Sequence, residues 1–432
     1  MPFKQTSFWA ETVAQPTFGD AQHLPETVDV AVIGAGFTGL SAARTLAKTG
    51  ARVAVLEAES VGWGASSRNG GMVLTGLKLP EGKLVNKYGL ETSRRLYEAS
   101  LASIDCVARI VNEENIACEF GRSGHLVVAN KQAHFDEFKR SAERLAKDFQ
   151  HDVRIVERSE LQNEIGSEIY YGGLVDEASA GLNPAKYVAG LARACERAGA
   201  ALYEKARVEH IAQAARAGEN GFSLTTTRGK LWAHDVFVAT SGYTGRATPA
   251  LRKRIIPIGS YIIVTEQLGE DLARLISPRN RMIYDSKHFL HYFRLTPDRR
   301  MLFGGRAAFL PETPNTIRRS AEILRRGMLR VFPQLRHLGV DYAWGGTLDF
   351  TFDMLPHAGK IDGLYYAMGY AGHGVAMATY LGTKMAEAMA SGRDENPFSN
   401  LPFPGAPLGL YYGTPWFLPF VGAWYKLLDW IQ

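Results

Sequence analysis

The stretch Val28-Asp29-Val30-Ala31-Val32-Ile33-Gly34-Ala35-Gly36-Phe37-Thr38-Gly39 decides the fold. A β-branched apolar run of strand length ends in a glycine turn, and Leu40-Ser41-Ala42-Ala43-Arg44-Thr45-Leu46-Ala47 then reads as a helix stopped by Gly50. A second strand, Arg52-Val53-Ala54-Val55-Leu56, ends at Glu57. The unit is βαβ. Gly34-x-Gly36-x-x-Gly39 places a glycine at the tight turn, one where a pyrophosphate approaches the backbone, and one where helix packs on strand. Glu57 stands where a carboxylate accepts hydrogen bonds from ribose hydroxyls, which disfavours a 2′-phosphorylated dinucleotide.

Working outward, the 432 residues carry 49 Lys+Arg against 44 Asp+Glu, a net charge of +5 spread along the chain and too small to argue for nucleic acid. With 46% hydrophobic residues, the chain buries a large core, and its length suits two intertwined domains. Cys106, Cys118 and Cys195 lie too far apart for a redox pair or a zinc knuckle. They read as small buried residues in a cytoplasmic protein. No metal site is expected. Met1-Pro2-Phe3-Lys4-Gln5 carries no secretory pattern, and no apolar run reaches the about 20 residues of a membrane span.

Farther along, the pattern is helical from Glu91 to Asn115 and again up to Phe149, with strands at His125–Val128 and Val153–Val156. Asn183-Pro184 opens another helix. Strands follow at Phe222–Thr227, Leu231–Ala239, Ser260–Glu266, Phe289–Leu295 and Met301–Gly304, and Gly363–Met368 leads through a glycine-rich turn into a helix from Val375 to Met389. The alternation predicts an α/β chain with interleaved domains. A Rossmann-like dinucleotide domain comprises 27–80, 151–250 and 340–395, a mixed antiparallel-sheet substrate domain comprises 81–150 and 251–339, and 396–432 forms an aromatic tail.

The segment Gly62-Trp63-Gly64-Ala65-Ser66-Ser67-Arg68-Asn69-Gly70-Gly71-Met72 is small, polar and glycine-laden, as suits a backbone passing close to a bulky ligand. Arg68 neutralises phosphate charge there or forms a loop salt bridge. Residues 29–72 resemble the FAD-binding start of glycine oxidase and D-amino-acid oxidase-like flavoenzymes, and Ala65-Ser66-Ser67-Arg68-Asn69-Gly70-Gly71 resembles the γ-glutamylputrescine oxidase branch. The resemblance continues at Leu182-Asn183-Pro184, Ala239-Thr240-Ser241-Gly242-Tyr243, Pro257–Tyr261, Tyr292-Phe293-Arg294-Leu295, Phe303-Gly304-Gly305-Arg306, Trp344-Gly345-Gly346 and Gly369-Tyr370-Ala371-Gly372-His373-Gly374-Val375-Ala376. It implies FAD, with contacts from the first glycine turn, Phe37, Thr38, Glu57, Ala58, Gly64, Ala65, Ser66, Arg68, Asn69, Gly70, Gly71, Val208, Thr240, Gly242, Trp344 and Gly346. The second turn contributes Gly372, His373, Gly374, Val375 and Ala376, its helix N-terminus favouring electrons placed on the flavin.

Departures from relatives that oxidise sarcosine bear on substrate. Their lysine after the Gly-His-Gly turn is matched by Ala376, their tethering cysteine near the Trp344 segment is absent, and an alternative tethering histidine is matched by Arg68 or Asn69. Non-covalent FAD is therefore expected, together with an amine substrate or an amino acid held by some other cation. His373 contacts the ring and tunes a proton, or else caps a helix. Tyr292 and Arg294 share one strand face, which either positions substrate or is solvated. His288, His291 and Tyr261 are weaker candidates, and Trp344 either packs on flavin or belongs to the core. The apolar tail 417–431, with Phe420, Trp424, Leu427, Leu428 and Ile431 at helical spacing, touches a membrane surface or packs on protein, including a second copy in a homo-oligomer. The electron acceptor is oxygen or a quinone.

The leading expectation is hydride transfer from the amine carbon of γ-glutamylputrescine or a related polyamine derivative to flavin, giving an imine that hydrolyses to an aldehyde. A D-amino-acid or glycine-type oxidase or dehydrogenase and a non-catalytic flavin-binding redox protein are the alternatives.

Overall fold

The computed structural model describes residues 3–14, 17–19, 23–305, 312–399 and 401–418. Among these, two eight-stranded sheets organise the chain. The first takes the predicted βαβ unit as its centre: Thr27–Ile33 pairs in parallel with Val53–Leu56 on one side and Gly229–Val238 on the other. Ala201–Tyr203 extends one side and Leu364–Met368 the other, both in parallel, and His357–Ile361 forms the outer edge antiparallel to Leu364–Met368. The central strands are apolar without alternation because both of their faces are covered. Helices Phe37–Lys48, Leu90–Glu113, Pro184–Arg197 and Gly374–Ser391 bury one face in a common core. The hairpin of Val208–Arg216 and Glu219–Thr226 belongs to the core on the other face.

In the second sheet the order is Val340–Phe350, Ile256–Gln267, Arg300–Gly305, His291–Leu295, Met282–Asp285, His125–Val128, Gly172–Asp176 and Arg154–Glu157. Its pairings are antiparallel except where Met282–Asp285 runs parallel to His125–Val128. Helix Pro314–Val331 packs Ile317, Leu324 and Met328 onto it.

The segment boundaries read from the sequence need correction. Arg154–Glu157, Gly172–Asp176 and Val340–Phe350 hydrogen-bond into the second sheet rather than the first. Helix Leu90–Glu113, assigned above to the substrate domain, buries Leu96, Ile104, Val107 and Ile110 in the dinucleotide-domain core. Its end is tied there by Arg44, whose guanidinium donates to Glu113 (2.6 Å) and Glu114 (2.7 Å). A short apolar strand carries no local mark of its partner, and an amphipathic helix carries no mark of which sheet it covers. Asn183 caps its helix as expected, accepting from the Lys186 N–H at 3.2 Å. The membrane reading of 417–431 falls almost wholly outside the described residues. Phe417 and Leu418 pack with Ile256, Ile258, Phe350 and Tyr411, and no described helix is long and apolar enough to cross a membrane.

Two contacts between backbones set the depth of the helix layer. A Cβ on Gly39 would lie 1.9 Å from the Gly34 carbonyl oxygen, and a Cβ on Gly382 would lie 2.2 Å from that of Thr38. The first seats helix Phe37–Lys48 on its strand, and the second lets helix Gly374–Ser391 cross it at backbone contact. Gly382→Ala should push the helices apart at a cost of about 1–3 kcal/mol. The check is a lowered Tm in a thermal melt, with Gly392→Ala as a poor control because Gly392 has φ +70° and Gly121→Ala as a suitable one because a Cβ there meets open space.

Candidate active site

The first glycine turn is built as its spacing requires. Gly34 has φ +103°, a left-handed conformation, and its Cβ position lies 2.8 Å from the Ala239 carbonyl oxygen. The Cβ position of Gly36 lies 2.8 Å from Ser66 Oγ, and the Ser66 hydroxyl accepts the Phe37 N–H at 3.0 Å. Glu57 accepts the Ala35 N–H on Oε2 (2.8 Å) and the Glu59 N–H on Oε1 (2.9 Å). A carboxylate offers about four acceptor positions, so two remain for hydroxyl donors. Burial pushes the Glu57 pKa up, while the Ala35 and Glu59 N–H groups oppose the shift.

This turn opens onto a cleft with about 370 Å³ of free space. One wall comes from Gly34–Thr38, Glu57, Ala58, Gly64–Ser66, Val208 and Thr240. A second comes from Gly346–Phe350 and Tyr370–Val375, and a third from Met72, Leu74, Lys78, Ser260, Tyr284, Leu290 and Tyr292. Asp349 joins the sheets here. Its carboxylate accepts from the Gly369 N–H (2.6 Å) and Tyr370 N–H (3.2 Å), and burial pushes its pKa up to about 6. Tyr370 Oη and Thr38 Oγ1 lie 2.7 Å apart, so the turn before helix Gly374–Ser391 is tied to the start of helix Phe37–Lys48.

His373 meets the cleft at that turn. Burial, then the charges of Lys78 and His125, lower its pKa to about 3, so the imidazole is neutral at ordinary pH. Its buried Nδ1 has no hydrogen-bond partner among the described residues. Tyr292 Oη lies 3.2 Å from Ser260 Oγ, and burial pushes the phenol up to about 12. Arg68 lines the cleft but is held in the loop. Its Nε donates to the Trp63 carbonyl (2.9 Å), its Nη1 donates to the Gly345 carbonyl (3.2 Å) and pairs with Glu312 (3.2 Å), and it lies over the Trp63 ring. Asn69 shapes the same loop, accepting the Gly71 N–H at 2.7 Å, and Gly70 lines the cleft.

Several expected residues stand elsewhere. Arg294 does not line the cleft: it is buried, donating from Nη1 to the carbonyls of Gly71 (3.0 Å) and Leu182 (3.1 Å), and burial brings its pKa down to about 10. It does lie on the strand face of Tyr292, one pleat beyond the cleft. Trp344 is core, packed with Phe8, Trp9 and Ile262 and donating to the Arg68 carbonyl at 3.0 Å. Gly39, Gly71, Gly242 and Ala376 serve packing; a Cβ on Gly71 would meet the Leu182 carbonyl oxygen at 2.1 Å, and one on Gly242 the Thr347 methyl at 2.9 Å. Tyr261 and His291 belong to the second-sheet side, His291 pairing with Asp285 at 3.3 Å, and His288 does not line the cleft. Lys78, Tyr284, Ser260, Leu290 and Asp349 escaped the sequence reading. Only Lys78 carried a local signal, as a lone cation between Leu77 and Leu79.

With this geometry in place, comparison with known proteins is decisive about family. The FAD dependent oxidoreductase (DAO) profile matches residues 29–388. The chain belongs to this family. It is an enzyme, an FAD-dependent oxidoreductase. It is 32% identical over 429 residues to the gamma-glutamylputrescine oxidoreductase of Escherichia coli, covering 98% of each chain. It is 33% identical over 377 residues to the probable oxidoreductase OrdL of Haemophilus influenzae, covering 86% of this chain and 84% of that one. Glycine oxidase from Geobacillus kaustophilus shares the fold at a TM-score of 0.72 and 21% identity, over 88% of this chain and 99% of that one. The residues present fit FAD: the Gly36 position is closed to a side chain, Glu57 keeps acceptor positions, and two helix N-termini meet one cleft.

Because hydroxyl donors favour the ionised carboxylate, Glu57→Ala should weaken FAD binding about 10- to 100-fold, as measured by equilibrium dialysis. Since the unliganded Glu57 pKa is raised, its charged form is lost as pH falls, starting above the ordinary carboxylate range. Wild-type FAD affinity should therefore drop in mild acid, and the Glu57→Ala protein should lose that component of the pH dependence.

Proposed function

We propose that the protein oxidises γ-glutamylputrescine or a closely related amine derivative to an imine, which water converts to an aldehyde and ammonia or a smaller amine. The observation that carries this reading is the similarity to gamma-glutamylputrescine oxidoreductase across 98% of both chains. The cleft chemistry supports an amine. His373 is a neutral imidazole at the cleft and sets no positive charge against an amine, while Tyr284 and Tyr292 are phenols kept protonated by burial. Met72, Leu74 and Leu290 give the same wall an apolar surface. FAD, when bound, supplies the two-electron acceptor for the hydride leaving the amine carbon. The protein's own tasks are to orient that carbon, to keep the nitrogen unprotonated and to shield the reacting atoms.

Anaerobic addition of γ-glutamylputrescine to the flavin-loaded protein should bleach the flavin absorbance, with putrescine reacting more slowly. Bleaching by glycine or D-alanine but not by γ-glutamylputrescine would overturn the substrate assignment.

We also infer that FAD is held without a covalent bond. Cys106, Cys118 and Cys195 are buried and none lines the cleft, where Arg68 and Asn69 occupy the loop after the second strand. Acid precipitation should release all of the flavin into the supernatant, and a yellow pellet would refute the inference.

A further inference from the structure

The chain's net charge of +5 conceals one concentration of charge. Helix Pro314–Val331 carries Arg318, Arg319, Arg325, Arg326 and Arg330 against the single carboxylate of Glu322. Helix Gln132–Phe149, of the same length, carries four cations and four acids, and its Lys139, Arg140 and Arg144 pair with Glu157, Glu137 and Glu81. The five arginines of Pro314–Val331 form no ion pair among the described residues. Arg326 donates to the Glu322 carbonyl at 3.4 Å, and the Arg325 Nε has no hydrogen-bond partner there.

Helical spacing gathers these charges. Ile317, Ala321, Leu324 and Met328 turn toward the second sheet, so Arg319, Arg326 and Arg330 come out on the opposite side with Arg318 and Arg325 beside them, over about 18 Å of helix. All but the half-buried Arg325 are exposed, and Ile323 stands among them at 37% exposure. The sheet separates this face from the cleft: Tyr261, Phe293 and Phe303 share the core under the helix, whereas their strand neighbours Ser260 and Tyr292 line the cleft. None of the five arginines lines the cleft, so their charge serves neither flavin phosphates nor substrate.

We propose that this helix face docks the protein on an anionic phospholipid surface. A guanidinium meets phosphate through two parallel N–H donors and keeps its charge as water is displaced. The arginines line neither the cleft nor the polar hollow at Arg154, Glu164 and Arg281, which suits a flat array of phosphates better than one small anion. A tight protein partner calls for an aromatic or apolar anchor in a pocket, which this face lacks. Against nucleic acid Ile323 would meet phosphate, but at a bilayer it enters the headgroup boundary while the arginines stay among the headgroups. No described helix is long and apolar enough to cross a membrane, so the contact proposed is peripheral. It uses a different surface from the aromatic tail and does not depend on which amine the enzyme oxidises.

The test is sedimentation of the flavin-loaded protein with vesicles of phosphatidylglycerol and phosphatidylcholine in equal parts. Wild type should pellet with them at low salt, be released at about 0.5 M salt, and stay in the supernatant with phosphatidylcholine alone. Arg319→Gln/Arg326→Gln/Arg330→Gln should lower the partition coefficient about 30-fold or more, with flavin content and Tm unchanged because all three side chains are exposed. Replacing the same three residues with Lys should keep binding within about fivefold of wild type. Failure to pellet with anionic vesicles at low salt, equal pelleting with phosphatidylcholine alone, or a glutamine variant that pellets like wild type would each overturn the proposal. A DNA duplex retained by wild type and lost by the glutamine variant, without vesicle binding by either, would assign the face to nucleic acid instead.

Discussion

The structure depends on how closely two helices can approach. Helix Gly374–Ser391 crosses helix Phe37–Lys48 with Gly382 against the Thr38 carbonyl, and the latter helix sits on its strand with Gly39 against the Gly34 carbonyl. Any side chain at either glycine would occupy space already held by backbone, which flexible packing cannot relieve. Because both contacts are made, two helix N-termini separated by more than three hundred residues meet at the same end of the parallel strands. A ligand there feels two partial positive charges without a metal or a cluster of lysines.

Polar ties turn that packing into a site. Asp349, from the second sheet, takes the N–H groups of Gly369 and Tyr370, and the Tyr370 hydroxyl meets Thr38. The glycine-rich turn is thus fixed to both sheets at once. His373 is carried on this turn, and its neutrality follows from placement: burial disfavours the imidazolium, and Lys78 adds like-charge repulsion. Arg294 acts at a distance, holding the Gly71 and Leu182 carbonyls that shape the loop below the cleft.

Elements with a strong local signature were legible in the chain. The Val28–Glu57 unit, the Asn183-Pro184 helix start and the glycine turn before Val375 were all read from spacing and turn chemistry, and all are present. Strands Gly172–Asp176, Ala201–Tyr203, Val208–Arg216 and Met282–Asp285 were passed over, being short, glycine-interrupted or polar on exposed faces. Tyr292 was found because it alternates with Phe293 on a strand, but the same alternation also pointed to Arg294, which lies one pleat too far. Period-two reasoning assigns a face and not a position along it.

The sequence by itself determined the βαβ unit, the dinucleotide turn with its acid and the resemblance to flavoenzymes, because each is encoded by residues close together whose backbone demands are local. Only the tertiary structure decided which sheet received the strands at Arg154–Glu157, Gly172–Asp176 and Val340–Phe350, that Trp344 is core, and that Lys78, Tyr284, Ser260 and Asp349 share a cleft with His373. Those outcomes depend on hydrogen bonds and burial between segments far apart in the chain, and no single segment records which partner it will meet.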